Sequence, residues 1–229
     1  MTATTAPVTM TTASPRPGRL ALTALTVAGP LVGVASFLLA VFHTTDPAAH
    51  QVANAYAHQG RFTAYVWFDV LFGVAYAPAL LVLAVLAAAG ARRLGTSALA
   101  VLVVGFFAMA SVASAPDYAM LAGARGGVDQ SAVTRMIDKG FGAAAFGVPL
   151  TIGVLGQITG IVLLGLALLR GRTGSAWAGW LVLASAPLLL VGFAAGLPAA
   201  AIAGFLAQSA AAALTARTLL DHGLGWTAG

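Results

Sequence analysis

The chain has 229 residues, of which 60% are hydrophobic and only 7% charged, with a net charge of +5 and a mean hydropathy of +0.94. A soluble domain carries about 25% charged residues because its surface must satisfy water, and eleven Lys and Arg with six Asp cannot cover a body of this size. Composition therefore excludes a soluble metabolic enzyme and a nucleic-acid-binding protein, and predicts an all-α polytopic membrane bundle whose partner is the lipid bilayer.

Residues 1–15 are Thr-rich, lack periodicity and read as a disordered cytoplasmic tail. Residues 16–229 read as one transmembrane domain. Arg16 and Arg19 precede an uncharged run from Leu20 to Phe42 with Pro30 inside it. That run is too long for a secretory h-region and no clear small-residue cleavage site follows, so it predicts a first spanning helix. Five more runs follow at Thr63–Ala91, Ser97–Ala115, Phe141–Leu169, Ser175–Gly196 and Leu197–Ala216. A hydrocarbon core of about 30 Å needs about 20 helical residues, so each run can cross it. The two longest must tilt, kink or extend past the membrane. The turn Gly196-Leu197-Pro198 divides the last two.

Arginine placement predicts orientation. With both termini cytoplasmic, the inner segments carry Arg16, Arg19, Arg92, Arg93, Arg170, Arg172 and Arg217, against Arg61, Arg125, Arg135 and Lys139 outside. This places the protein in the plasma membrane. Tyr65 and Trp67 mark the outer interface, and Trp177 and Trp180 the inner one. The outer loops predict two short surface helices. One covers residues 47–58, with Asp46 as N-cap, Pro47 at the first position and Gly60 as the stop. The other runs from an Asp129 cap through Ile137 to Gly140, with Val128, Val133, Met136 and Ile137 on a partial apolar face suited to the membrane interface.

The six runs also divide into inverted halves with matched interior prolines, Pro30 and Pro78, then Pro149 and Pro187. Such matching is one signature of a transporter. Gly156-x-x-x-Gly160 and Gly192-x-x-x-Gly196, with Gly153 and Gly165, read as helix-packing signals. Gln157 beside Gly156 reads as the deep amide of the bundle, with an interhelical hydrogen bond as its expected role.

Asp69 is the only acid within a hydrophobic run. An intramembrane carboxylate is costly and marks a functional hypothesis, set against a helix-packing carboxylate satisfied by neighbours. It lies about 10 Å along a helix from Phe62, in the outer third. Arg61, Tyr65 and Asp69 recur every four residues, and Gly73 and Tyr76 continue the stripe. Arg61 is therefore expected to reach Asp69 and Tyr65 to donate to it. Asp117, His43 and Asp46 sit at outer helix ends where an external vestibule could gather them. Asp69 and Asp117 are the candidate catalytic acids; Asn54, Arg61, Tyr65, Tyr76 and Gln157 are candidate binding residues. No metal site and no cofactor are expected. His50 and His58 are about 12 Å apart on one helix, too far for one ion, and with Asn54 they form a polar, solvated stripe. Without Cys, thiolate chemistry is absent. The Ser111/Ser114 pair reads as backbone-bonding.

The stretch Asn54-Ala-Tyr-Ala-His-Gln-Gly-Arg61, followed by Phe68-Asp69-Val70-Leu71, resembles an uncharacterised family of small six-pass bacterial membrane proteins, the domain of unknown function 4386. That resemblance implies the six-pass topology and draws attention to Asn54, Arg61 and Asp69. It implies no activity. Three functions remain open: a protein that binds or passes a small apolar or amphipathic molecule through an outward-facing polar pocket; an acid-initiated isoprenoid cyclase with Asp69 as proton donor and Tyr65, Trp67, Phe72 and Tyr76 around a carbocation; and an accessory or scaffold subunit in a homo- or hetero-oligomer.

Overall fold

The computed structural model describes residues 17–42, 45–141, 144–171 and 175–222, without the side chains of Phe141, Arg217, Asp221 and His222. The Thr-rich tail, Arg16, His43, Arg172 and the Arg217 side chain lie outside these residues. Every regular element among them is a helix: α1 (Pro17–Leu39), α2 (Ala48–Ala57), α3 (Gln59–Gly90), α4 (Arg92–Ala110), α5 (Ala115–Gly126), α6 (Gln130–Phe141), α7 (Ala144–Gly171), α8 (Ala176–Ala194) and α9 (Pro198–His222). Six apolar stretches are long enough to cross a membrane: α1, α3, α4 continued by α5, α7, α8 and the first part of α9. The chain is an integral, multi-pass membrane protein.

Each span packs on the next in sequence, and α9 returns to α1, which closes a ring. α3 also leans across on α7. The main core fills this ring with Leu80, Leu83, Leu102, Ile161, Leu164, Val182, Leu189 and Phe205. Lipid is as apolar as these side chains, so the ring is held by close packing and interhelical hydrogen bonds instead of by the hydrophobic effect. The α4–α7 seam shows how. A Cβ on Gly156 would lie 2.8 Å from the Gly105 Cα, and one on Gly153 would lie 2.9 Å from the Met109 backbone nitrogen. The predicted small-residue motif therefore brings two backbones into contact. Gly192-x-x-x-Gly196 behaves differently. Gly192 packs against Ala201, whereas Gly196 (φ 62°) ends α8, with the Leu197 N–H donating to the Gly192 carbonyl at 3.0 Å. Only a left-handed residue closes a helix this way.

α3 has 32 residues, about 48 Å at helical rise, so it overshoots a hydrocarbon core. Its first turns join α2, α5 and α6 in a cap over one end of the ring. Val52, Ala55, Phe62, Val66, Met120, Val133 and Ile137 form a second core there. Tyr56 Oη donates to the Val128 carbonyl at 2.8 Å and ties α2 to the α5–α6 link. The opposite end carries Arg19, Arg92, Arg93 and Arg170 at helix termini. Trp67 near the cap and Trp177 and Trp180 at the basic end are 63%, 71% and 58% exposed, as rings at membrane–water boundaries would be.

Several boundaries differ from the sequence expectation. The third span is not one unbroken helix: α4 ends at Ala110 instead of Ala115, and residues 115–126 form a separate helix. Pro116 lacks an N–H and disfavours helix in the residue before it, so the chain turns at Ser111–Ser114 and restarts with Pro116 in the first turn of α5. At α2 the cap is Pro47, in extended backbone, with no side-chain capping bond. Asp46 therefore falls one residue too early, and pairs with His50 Nδ1 at 3.4 Å instead. Gly60 stops nothing; the chain breaks at His58 and Gly60 lies inside α3. The α6 apolar face divides: Val133 and Ile137 are buried in the cap core, while Val128 and Met136 are about half exposed.

The Asp129 cap is as expected. Its Oδ1 accepts from the Ser131 N–H at 2.8 Å, the Ala132 N–H at 3.3 Å and the Ser131 hydroxyl. These donors, the Ser131 hydroxyl foremost, hold its carboxyl below the usual Asp range. A lowered folded-state value means that the cap's contribution is complete above about pH 4 and fades as pH falls through the lowered value. Hydrogen exchange at the Ser131 and Ala132 amides is expected to accelerate on acidification relative to Asp129→Asn, which caps without titrating. Parallel pH behaviour in the two proteins would refute this.

Candidate functional site

A cavity of about 370 Å³ opens beneath α2 between α1, α3 and the α8–α9 turn. α2 contributes His50 and Asn54, one helical turn apart. Asp46 precedes α2, and Tyr65, Asp69 and Phe72 come from consecutive turns of α3. Ser36 and Phe37 of α1, Phe193 of α8 and Phe205 of α9 complete the far wall. His50 and Asn54 thus face a cavity and not only bulk water, while His58 is exposed at the α2–α3 break.

Asp69 and Asp117 converge, although 48 residues separate them in the chain. Tyr65 and Asp69 are four apart on α3. Ser114 and Asp117 are three apart across the start of α5. The two pairs cross-bond: Tyr65 Oη donates to Asp117 Oδ2 at 3.3 Å, and Ser114 Oγ donates to Asp69 Oδ2. Tyr65 therefore serves Asp117 rather than Asp69, and Ser114 is a side-chain donor and not a backbone-bonding residue; Ser111 keeps that role, donating to the Ala108 carbonyl at 2.7 Å. Asp117 is 8% exposed and sits in the first turn of α5, where the helix dipole favours negative charge. It stands behind Tyr65 and does not line the cavity; Asp69 does.

Arg61 does not reach Asp69. Its guanidinium donates to the carbonyls of Leu38, Leu39 and Ala40 at 2.9, 3.0 and 3.1 Å. Those are orphan acceptors at the end of α1, and the long side chain satisfies three of them together. Arg125 donates to Thr63 Oγ1. Among the described residues no Arg or Lys forms an ion pair with either carboxylate.

The remaining candidates lie elsewhere. Tyr76 is buried behind Phe72, its ring stacked on it at 4.5 Å. Gln157 is half-buried on the α4–α7 seam, and its side-chain amide forms no hydrogen bond among the described residues. Gln208 of α9 is the deep amide that the sequence reading missed: it is fully buried and donates to Ser185 Oγ at 3.0 Å, joining α8 to α9. Trp67 faces outward, so the ring set expected for a carbocation is not assembled around Asp69. Among the described residues no group of three His, Cys, Asp or Glu is placed to hold a metal ion. No protein-family model, curated protein or solved structure matches the chain.

Proposed function

We propose that this is a plasma-membrane protein with both termini in the cytoplasm, and that its outward-facing cavity binds a small amphipathic molecule with Asp69 as the polar contact. The cavity carries the proposal. Its volume is within the range of about 300–1,000 Å³ typical of small-molecule sites, and its wall is apolar with a few convergent polar groups. The orientation is supported by Arg19, Arg92, Arg93 and Arg170, which gather at the end away from the cap. α2 roofs the cavity at the other end.

Because the chain has no Cys, single cysteines report topology without background. Ala53→Cys on α2 is expected to react with a membrane-impermeant thiol reagent in intact cells, and Thr96→Cys on α4 only after permeabilisation. The reverse pattern would overturn the outward-facing cavity. Small amphipathic compounds are expected to raise the Tm of the purified protein and to do so less in Asp69→Asn. Compounds that stabilise both proteins equally would place their binding elsewhere.

A further inference from the structure

We infer that the ligand of this cavity is a small hydrophobic organic cation, an amine or quaternary ammonium carrying an apolar group. This rests on the ligand-binding reading above and names the chemistry of its ligand. Three observations on different elements point the same way.

The first is the sign of the charge. Asp46 and Asp69 line the cavity, and among the described residues no Lys or Arg does. His50 also lines it and pairs with Asp46. Arg61, the cation nearest to Asp69 on its own helix face, is engaged by the α1 carbonyls. A carboxylate has about four lone-pair sites, and the Ser114 hydroxyl fills only part of that capacity at Asp69.

The second is the wall facing Asp69. Phe37, Phe72, Phe193 and Phe205 all line the cavity. They form one continuous cluster: Phe37–Phe193 centroids are 5.2 Å apart, Phe72–Phe205 5.3 Å and Phe37–Phe205 5.9 Å. The contacts are edge-to-face or tilted, so rings in the cluster stand at steep angles to one another instead of forming one flat stack. Ring faces carry negative quadrupole density and attract a cation, most strongly where water is excluded. An anion meets repulsion from both the rings and the carboxylates.

The third is position. Phe72 lies three residues after Asp69, so ring and carboxylate project from the same side of α3. A cation held at Asp69 reaches the aromatic wall without leaving the carboxylate. Its apolar group then has Phe193, 41% exposed, as a way out toward the α8–α9 turn.

The test uses the full-length chain in lipid nanodiscs, with calorimetric titrations corrected against empty discs. The probes are benzyltrimethylammonium, its neutral carbon isostere 2,2-dimethyl-1-phenylpropane, and benzylsulfonate. The cation is expected to bind at least about tenfold more tightly than the isostere, and benzylsulfonate to show no binding. Asp69→Asn should level cation and isostere. Phe193→Leu, at the open side of the wall, should weaken the cation several-fold and spare the isostere, which keeps the inference testable if Asp69→Asn does not fold. Equal binding of cation and isostere, or tighter binding of the sulfonate, would overturn the cation assignment and leave the pocket standing. No binding by any probe would overturn both.

Discussion

Gly156→Leu is expected to cost more stability than any substitution at the cavity. The Gly156 Cβ position is 2.8 Å from the Gly105 Cα and the Gly153 position 2.9 Å from the Met109 nitrogen, so the obstacle is backbone. No rotamer relieves it; α4 and α7 must separate along their whole contact. Overpacking a close seam costs typically about 1–3 kcal/mol, and here the loss belongs at or above the upper end because lipid offers no compensating apolar transfer. Thr159→Leu, exposed on the same helix, is the matched control and should leave the melt unchanged. Equal Tm values for Gly156→Leu and Thr159→Leu would mean that the seam does not hold the ring.

The second large effect is expected from Tyr65→Phe. Asp117 is buried, and its partner at Oδ2 is the Tyr65 hydroxyl. Deleting the hydroxyl strands a buried acceptor, at about 1–3 kcal/mol. The double variant Tyr65→Phe/Asp117→Leu removes donor and acceptor together and should recover much of that loss, because an apolar pair of similar shape leaves nothing unsatisfied. Unfolding in mild detergent reads all three proteins. If the double variant is no more stable than Tyr65→Phe, the bond is not what holds α5 against α3.

The spans were legible because their signal is composition over about 20 residues, which survives ignorance of tertiary contacts. Asp129 was legible for the opposite reason: a cap is decided by the next few residues alone. Asp46 shows how thin that margin is, since Pro47 takes the capping backbone position and displaces it by one. α5 carried readable punctuation, Pro116 at its start and Gly126-Gly127 at its end, yet its location directly after an apolar run hid it.

The candidate site was half legible. Asp69 stands out as the lone acid of its run, and the Tyr65–Asp69 spacing follows from helical period. Their partners do not follow, because Ser114 and Asp117 arrive from another helix through a turn that no local pattern aligns with α3. Arg61 illustrates the limit of face arguments. Its Cα is on the Asp69 stripe, but a side chain that long is directed by the nearest unpaired carbonyls, and those belong to α1. Gln208 was overlooked because a single amide in an Ala-rich helix has no periodic signature, although its depth within the last run was a readable signal.

The closing of α9 onto α1 has a consequence for biogenesis. Ser209 Oγ donates to the Val27 carbonyl, and Arg19 donates to the Leu220 carbonyl, so α1 is locked by a helix synthesised well after it. Until α9 has been synthesised, the flank of α1 around Val27 faces acyl chains or an insertase. A nascent chain released before residue 198 would keep an open seam, which makes synthesis of α9 the step that seals the barrel of helices.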